Sequence, residues 1–95
     1  MMVFDQRAFG ERVQQLRVSR GMTQENLAEK TNTERSHIAK IENGKRSCSI
    51  DLLIVFASVF GVSTDYLLFG HSENEALKKD IASAVEQLAV LVQKL

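Results

Sequence analysis

Apolar residues recur at i, i+3 and i+4 along almost the whole chain, which is the spacing of amphipathic helices. The sequence contains no proline and only five glycines in 95 residues, so little in it interrupts a helix. The alternation of apolar β-branched and polar residues that is typical of strands never persists. The sequence therefore predicts an all-helical fold.

Glycines and capping residues divide the apolar pattern into five short helices and one longer helix. Glycine favours helix ends, and serine, threonine and asparagine favour helix starts and turns, so Asn32 is expected to take a left-handed turn conformation. We predict a five-helix domain over residues 1–70 and an additional C-terminal helix over residues 71–95. The predicted helices run from about Asp5 to Ser19, from Gln24 to Lys30, from about Arg35 to Asn43, from the Ser49 cap to Gly61, from Thr64 to Phe69, and from a capping box at Ser72 to Leu95.

The composition is that of an ordinary globular chain, with 44% apolar and 25% charged residues. Cys48 is the only cysteine, so an internal disulfide is excluded. The longest apolar run, Leu52–Ala57, is far shorter than the roughly 18–20 residues that a membrane span needs. The first residues show no basic segment followed by a hydrophobic stretch, so no export signal is indicated. We therefore expect a cytoplasmic protein that makes no membrane contact.

The net charge of zero hides a strong asymmetry along the chain. Residues 1–50 carry nine basic and six acidic side chains, whereas residues 51–95 carry three basic and six acidic ones. The first half is therefore the candidate surface for a polyanion.

Two short helices joined by a tight turn, with Gly-Lys-Arg after the second, form the arrangement that lets a helix enter the major groove of DNA. Three segments, Met22–Ala28, Ile38–Arg46 and Phe60–Leu68, together resemble the Cro-type phage-repressor helix-turn-helix family, also called XRE-like. The resemblance covers about residues 7–70. It implies a five-helix DNA-binding domain in which Gln24–Lys30 is the supporting helix and Arg35–Asn43 is the recognition helix.

Base reading is assigned to the outward face of the recognition helix. When its two isoleucines point inward, a helical wheel turns the polar side chains outward or to the flanks. Arginine and lysine donate to guanine, and serine or histidine can contact a base or a phosphate. The predicted base-reading residues are Arg35, Ser36, His37 and Lys40.

Phosphate contacts are assigned through the resemblance to the family. Gln24, the first residue of the supporting helix, matches the position that meets the DNA backbone, where free amides also bind anions. Asn43, Lys45 and Arg46 match the contacts of the loop after the recognition helix. Without that context, Lys45 and Arg46 would be interpreted as a solvated loop.

Arg17 and Glu42 are charged residues on or beside the inward stripes of their helices, where an unpaired charge would be costly. The resemblance suggests that they pair and tie the first helix to the recognition helix.

The chain departs from the family at Glu34, which stands where serine or threonine is frequent, and at Cys48, which stands where proline is frequent. We interpret Cys48 as a small, partly buried apolar residue rather than a redox sensor.

Enzyme chemistry is not indicated. Two histidines and one cysteine occur, but there is no metal-ligand pair at i, i+4, no phosphate-binding glycine motif and no nucleophile elbow. His71 is expected at the surface. We predict no catalytic residues, no metal and no cofactor.

The C-terminal helix carries apolar residues at the 4-3-4-3-4 spacing of a heptad repeat. We call this set the seam, and we predict that it forms a homodimer interface, with Val85 and Val92 widening it. The alternative is that the helix folds back over an apolar stripe on the fourth helix (Leu52, Val55 and Val59). The seam comprises Leu77, Ile81, Ala84, Leu88, Leu91 and Leu95.

The function predicted from these features is a sequence-specific DNA-binding transcriptional regulator. It would repress transcription as a homodimer that binds a palindromic operator in double-stranded DNA. The alternative is a protein-interaction module, of an antitoxin or scaffold type, whose C-terminal helix binds a different protein partner.

Overall fold

The computed structural model describes residues 3–71 and 73–95, with side chains described for 3–71 and 78–95. No residue within the described ranges lies in a strand, so the all-helical prediction is confirmed. The six helices are α1 (Gln6–Ser19), α2 (Gln24–Lys30), α3 (Arg35–Glu42), α4 (Ile50–Phe60), α5 (Thr64–Phe69) and α6 (Glu73–Gln93).

Side-chain caps define the starts of four helices. The Asp5 carboxylate accepts hydrogen bonds from the backbone of Arg7 and Ala8 at the start of α1, and Thr23 forms a capping box with Asn26 at the start of α2. Ser49, the predicted cap of α4, accepts a hydrogen bond from the backbone of Leu52, and Ser63 caps α5 in the same way through Tyr66. These contacts satisfy backbone N–H groups that have no partner within the helix. The predicted capping box of α6 begins at Ser72, outside the described residues.

The recognition helix α3 differs from the prediction at its end. It ends at Glu42, and Asn43 is its C-cap rather than its last residue. Glu34 occupies the N-cap position without a side-chain hydrogen bond, so α3 lacks the cap that the other short helices have. Asn32, in the turn before it, has the expected left-handed backbone with φ of 52°.

The core lies among α1 to α5 and consists of fully or nearly fully buried apolar side chains. Gly10 of α1 is also buried, and a Cβ atom there would collide with the carbonyl oxygen of Ile41 in α3. Glycine inside a helix costs about 1 kcal/mol relative to alanine, so the direct backbone contact of α1 with α3 accounts for its presence. The buried apolar residues are Phe9, Val13, Leu27, Ala28, Ile38, Ile41, Phe56, Phe60 and Leu67.

Arg12 of α1 and Arg20, the C-cap residue of α1, cap the C-terminal ends of other helices. Arg12 donates to the carbonyl oxygens of Leu67 (2.8 Å) and Leu68 (2.9 Å) in α5. Arg20 donates to the carbonyl of Phe60 at the end of α4, and its guanidinium lies 5.6 Å from the centre of the Phe60 ring. The last carbonyls of a helix have no intrahelical donor, so these contacts fix α4 and α5 against α1.

The exposed side of α4 is not the one that the sequence indicated. Leu52 and Val59, expected on an unmatched surface stripe with Val55, are half-buried against the core. Val55 is 36% exposed, and the most exposed apolar side chains of the helix are Ile50 (75%) and Ile54 (55%). An 11-residue helix that is apolar on nearly every side gives no reliable direction to a helical wheel, which explains the error.

The last helix extends away from the five-helix core. Every side chain described in α6, from residue 78 onward, is exposed. The radius of gyration is 17.2 Å, whereas a compact chain of this length would have about 12 Å. The interpretation that α6 folds back over α4 is therefore wrong for this structure.

Among the described helices, none combines the length and the apolar character needed to cross a membrane.

Candidate nucleic-acid interface

The turn between α2 and α3 is closed by hydrogen bonds to the end of α2. The buried Thr31 hydroxyl donates to the carbonyl of Leu27 (2.7 Å), and the Thr33 amide donates to the carbonyl of Ala28 (2.8 Å). Leu27 and Ala28 share one buried core with the two isoleucines of α3. The two helices therefore form a rigid pair with a fixed angle between them.

The buried isoleucines of α3 define its outward face. Ile38 and Ile41 are fully buried, whereas Arg35, Ser36 and Lys40 are exposed. These three side chains carry hydrogen-bond donors suited to the edges of bases in a major groove.

His37 lies apart from the other predicted base-reading residues. Its side chain is half-buried and lines a groove of about 470 Å³ with Glu34 at the start of α3 and with Ser49 and Asp51 at the start of α4. The structure thus places His37 on the edge of α3 that borders α4.

The loop after α3 has a fixed backbone and exposed side chains. The amides of Lys45 and Arg46 both donate to the carbonyl of Lys40, at 2.9 and 3.3 Å, and Gln6 donates from its side chain to the carbonyl of Gly44 at 2.8 Å. Gly44 has φ of 75°, and a Cβ atom there would lie only 3.0 Å from the Cα of Arg7. Only glycine therefore suits this position.

Four basic side chains and one amide surround the outward face of α3. We call Arg35, Lys40, Lys45 and Arg46 the basic rim. All four are exposed, and within the described part of the chain none has an ion-pair or side-chain hydrogen-bond partner. Asn43, at the C-cap of α3, is exposed beside them. The rim is a compact positive surface that can contact phosphates and base edges.

Arg17 and Glu42 form a bidentate ion pair between α1 and α3. Arg17 donates to the two carboxylate oxygens of Glu42 at 2.7 and 3.1 Å, and the Glu42 side chain is 1% exposed. The third contact of the guanidinium is a donation to the carbonyl of Met22 (2.7 Å), just before α2. Because every polar atom of the pair is satisfied, its burial is tolerated.

Gln24 joins this network from the first turn of α2. Its amide nitrogen donates to Oε1 of Glu42 at 3.1 Å, so the carboxylate accepts three side-chain hydrogen bonds. An amide nitrogen carries two hydrogens, and this bond uses one of them. The sequence did not indicate that Gln24 contacts Glu42, because that contact depends on how α2 packs against α3.

Three arginines, two in α1 and one at its C-cap, have internal partners and do not contribute freely to the positive surface. We call Arg12, Arg17 and Arg20 the internal arginines, since all three donate to groups on other segments. The nine basic residues of the first half therefore overstate the charge available to a polyanion. Their position next to the apolar stripe of α1 is the sequence signal that could have identified them.

Cys48 lies beside an apolar cavity of about 270 Å³ that Phe4, Phe9 and Leu53 also line. The cysteine is half-buried, and this burial raises the pKa of its thiol. A raised pKa disfavours the reactive thiolate, which agrees with an apolar packing role.

His71 is exposed, and no cluster of three or more potential metal ligands occurs in the residues described.

The seam on α6 has no covering surface in the single chain. Ile81, Leu88 and Leu91 are 55%, 62% and 60% exposed, and Ala84 is exposed as well. The helix ends at Gln93 rather than at the predicted Leu95, so Leu95, also exposed, lies just beyond it. Leu77, the first seam residue, lies outside the described side chains. A continuous apolar face of this kind marks an interaction site.

Comparison with known sequences gives a family and several relatives. A family model described as helix-turn-helix matches residues 13–67. The HTH-type transcriptional regulator ImmR of Bacillus subtilis (strain 168) is 31% identical over 86 residues, which cover 85% of this chain and 68% of ImmR. Among the sequence relatives compared, the matched region spans from 30% to 75% of the relative's own length.

Solved structures with the same fold include two that are at least 30% identical. The restriction-modification controller protein C.AhdI from Aeromonas hydrophila matches with a TM-score of 0.63 and 30% identity, over 67% of this chain and 97% of that protein. SinR, a master regulator for biofilm formation, was crystallised in complex with DNA. It matches with a TM-score of 0.58 and 33% identity, over 62% of this chain and 95% of that one.

Proposed function

The chain belongs to the helix-turn-helix family, and from this premise we propose that it is a sequence-specific DNA-binding regulator that represses transcription as a homodimer. The observation that carries the proposal is the basic rim around the outward face of α3, a helix held rigidly against α1 and α2. The regulatory roles in the names of ImmR and C.AhdI, and the DNA in the SinR complex, support it. The DNA target implies a cytoplasmic location.

Base reading falls to the side chains that face away from the core. Arg35 and Lys40 would donate to guanine O6 or N7, and Ser36 would contact a base or a phosphate. His37 completes this set from the edge of α3 that borders α4. Because these side chains lie on a short helix with a buried opposite face, α3 can enter a major groove without disturbing the core.

Phosphate contacts would flank the recognition helix on two sides. Gln24, at the start of α2, would use the amide hydrogen that does not bond to Glu42, together with the free backbone amides of that helix end. Asn43, Lys45 and Arg46 would contact phosphates from the other end of α3. The carboxylate of Glu42 would therefore orient both a phosphate contact and the recognition helix.

Binding to an unknown operator can be tested by selecting bound sequences from random double-stranded DNA and then measuring variants on the selected site. Arg35→Ala or Lys40→Ala should weaken operator binding by about 1–3 kcal/mol and relax base preference, whereas Lys45→Ala should weaken all sequences alike. Lys79→Ala, an exposed basic residue on α6, is the matched control and should change nothing. Unchanged affinity and preference in both α3 variants would overturn the assignment.

A protein-interaction module remains the second candidate, and the exposed seam of α6 is the observation that favours it. In that case a different protein would cover the seam, and binding to that protein would not require DNA. Protection of a palindromic site by the purified chain would support the regulator, whereas stable DNA-independent binding to one partner with no selected DNA site would support the module.

A further inference from the structure

We infer that α6 pairs with α6 of a second copy in an antiparallel orientation. This inference rests on the proposed homodimer and specifies how the two chains are arranged. The occupant of the exposed seam is thus another copy of the same helix, running in the opposite direction.

The small seam residue Ala84 decides between the two orientations. In heptad terms, Ile81 and Leu88 occupy a positions, and Ala84 and Leu91 occupy d positions. Leu95, the next a position in the sequence, lies beyond the end of the helix at Gln93. In a parallel pair equal positions face each other, so Ala84 would meet Ala84 between two layers of large side chains. Such a layer leaves a void, and packed interiors do not tolerate one.

The antiparallel pair removes that void, because a positions then face d positions. In one register Ala84 faces Leu88 of the second copy, and Ile81 faces Leu91 of the second copy. Each layer that contains the small residue then also contains a large one. The two-fold symmetry repeats each of these layers, so a single register accounts for Ile81, Ala84, Leu88 and Leu91 of both copies.

The charges beside the seam agree with the antiparallel register. Asp80 and Lys94 occupy g positions of the heptad pattern, Asp80 within α6 and Lys94 directly after its last residue, Gln93, and both are exposed. In the register above, Asp80 lies diagonally opposite Lys94 of the second copy, and symmetry gives two such pairs. The charges alone do not select an orientation, and the packing of Ala84 does.

The length of α6 sets how far apart the antiparallel pair holds the two points where the helix begins, a distance of the same order as the spacing of DNA half-sites. The register is centred near residue 86, so the two copies of residue 73 are 26 helical positions apart, or about 39 Å at about 1.5 Å per residue. Half-sites one helical turn apart are separated by about 34–36 Å. A parallel pair would place both helix starts only about 8–10 Å apart, the usual distance between packed helices.

Disulfide trapping distinguishes the orientations. In a Cys48→Ser background, which removes the native thiol, one chain carries Ile81→Cys and another carries Leu91→Cys. Under mild oxidation we expect a covalent dimer only when the two variants are mixed, because residue 81 faces residue 91. A covalent dimer of either variant alone would show a parallel pair and overturn the inference.

Two further measurements keep the test decisive if a seam cysteine weakens association. Spin labels at Lys79→Cys and Gln93→Cys leave the seam intact, and their separation should be shorter in the mixed dimer than in either single variant. The reverse order would overturn the orientation but leave the homodimer in place. A monomer in sedimentation of the unmodified chain would overturn both the homodimer and the pairing, whereas operator binding by that monomer would leave the DNA-binding proposal intact.

Discussion

The Arg17–Glu42 pair makes the sharpest prediction about stability. Arg17→Met removes two of the three side-chain hydrogen bonds to Glu42 and leaves a carboxylate that is 1% exposed with Gln24 as its remaining donor. Breaking a buried ion pair by removing one partner typically costs about 3–5 kcal/mol. We expect the free energy of unfolding to fall by that amount.

Replacing Glu42 should lower the free energy of unfolding less than replacing Arg17 does, and replacing both residues should lower it least. Glu42→Leu leaves Arg17 with its bond to Met22 and with 11% of its side chain exposed, so the guanidinium retains more solvation than the isolated carboxylate would. We expect a loss near the lower end of the same range, at about 3 kcal/mol. The double variant removes both charges, so its stability should return to within about 1–2 kcal/mol of the parent chain.

Urea unfolding followed by circular dichroism measures these differences, provided that all variants are compared at one chain concentration. Arg7→Met is the matched control, because Arg7 forms an exposed i, i+4 pair with Glu11 at 3.7 Å, with side chains 84% and 58% exposed. An exposed pair of this kind contributes at most about 1 kcal/mol. If Arg17→Met cost no more than Arg7→Met, or if the two single changes simply added, the pair would not stabilise α3.

Gly10, the seam and Cys48 give further outcomes that can be measured. Gly10→Ala should destabilise the chain in urea unfolding by about 1–3 kcal/mol despite the better helix propensity of alanine, because its Cβ meets the Ile41 carbonyl; a neutral result would show that α1 and α3 can separate freely. Leu88→Glu with Leu91→Glu should give folded monomers in sedimentation and weaker operator binding, and full-strength dimers would move the interface to α4 and its exposed isoleucines. The thiol of Cys48 should react with iodoacetamide more slowly in the folded than in the unfolded chain. Because burial raises its pKa, the free energy of unfolding should also fall as the pH rises above the ordinary thiol value, and Cys48→Ala should abolish that fall.

Local signals were sufficient to predict most helix boundaries. The caps at Asp5, Thr23, Ser49 and Ser63 act on backbone groups two or three residues away, so the relevant information is contained in a short segment. The same holds for the left-handed turn at Asn32. The outward face of α3 was also predictable, because two buried isoleucines in a short helix determine its orientation.

Features that depend on contacts between distant segments could not be predicted in the same way. The donation of Arg12 to α5 joins residues 55 and 56 positions apart, and the hydrogen bond from Gln24 to Glu42 requires the packed angle of α2 and α3. The face of α4 was misassigned because nearly all of its residues are apolar. Gly10, in the middle of a helix and far from any cap, was a signal of close helix packing that the sequence did contain.

The internal arginines also determine how ions take part in DNA binding. Counterions are released only at phosphates that a cation contacts, at about 0.9 ion for each phosphate. The guanidinium groups of the internal arginines are held at protein carbonyls or a carboxylate and are therefore not expected to contact phosphates. The basic rim alone would therefore give a slope of about −3 to −4 in a plot of log affinity against log salt for each half-site, whereas all nine basic residues of the first half would give about −8. A chain without net charge can thus bind a strong polyanion through a small number of released ions, with a salt sensitivity set by four side chains per copy.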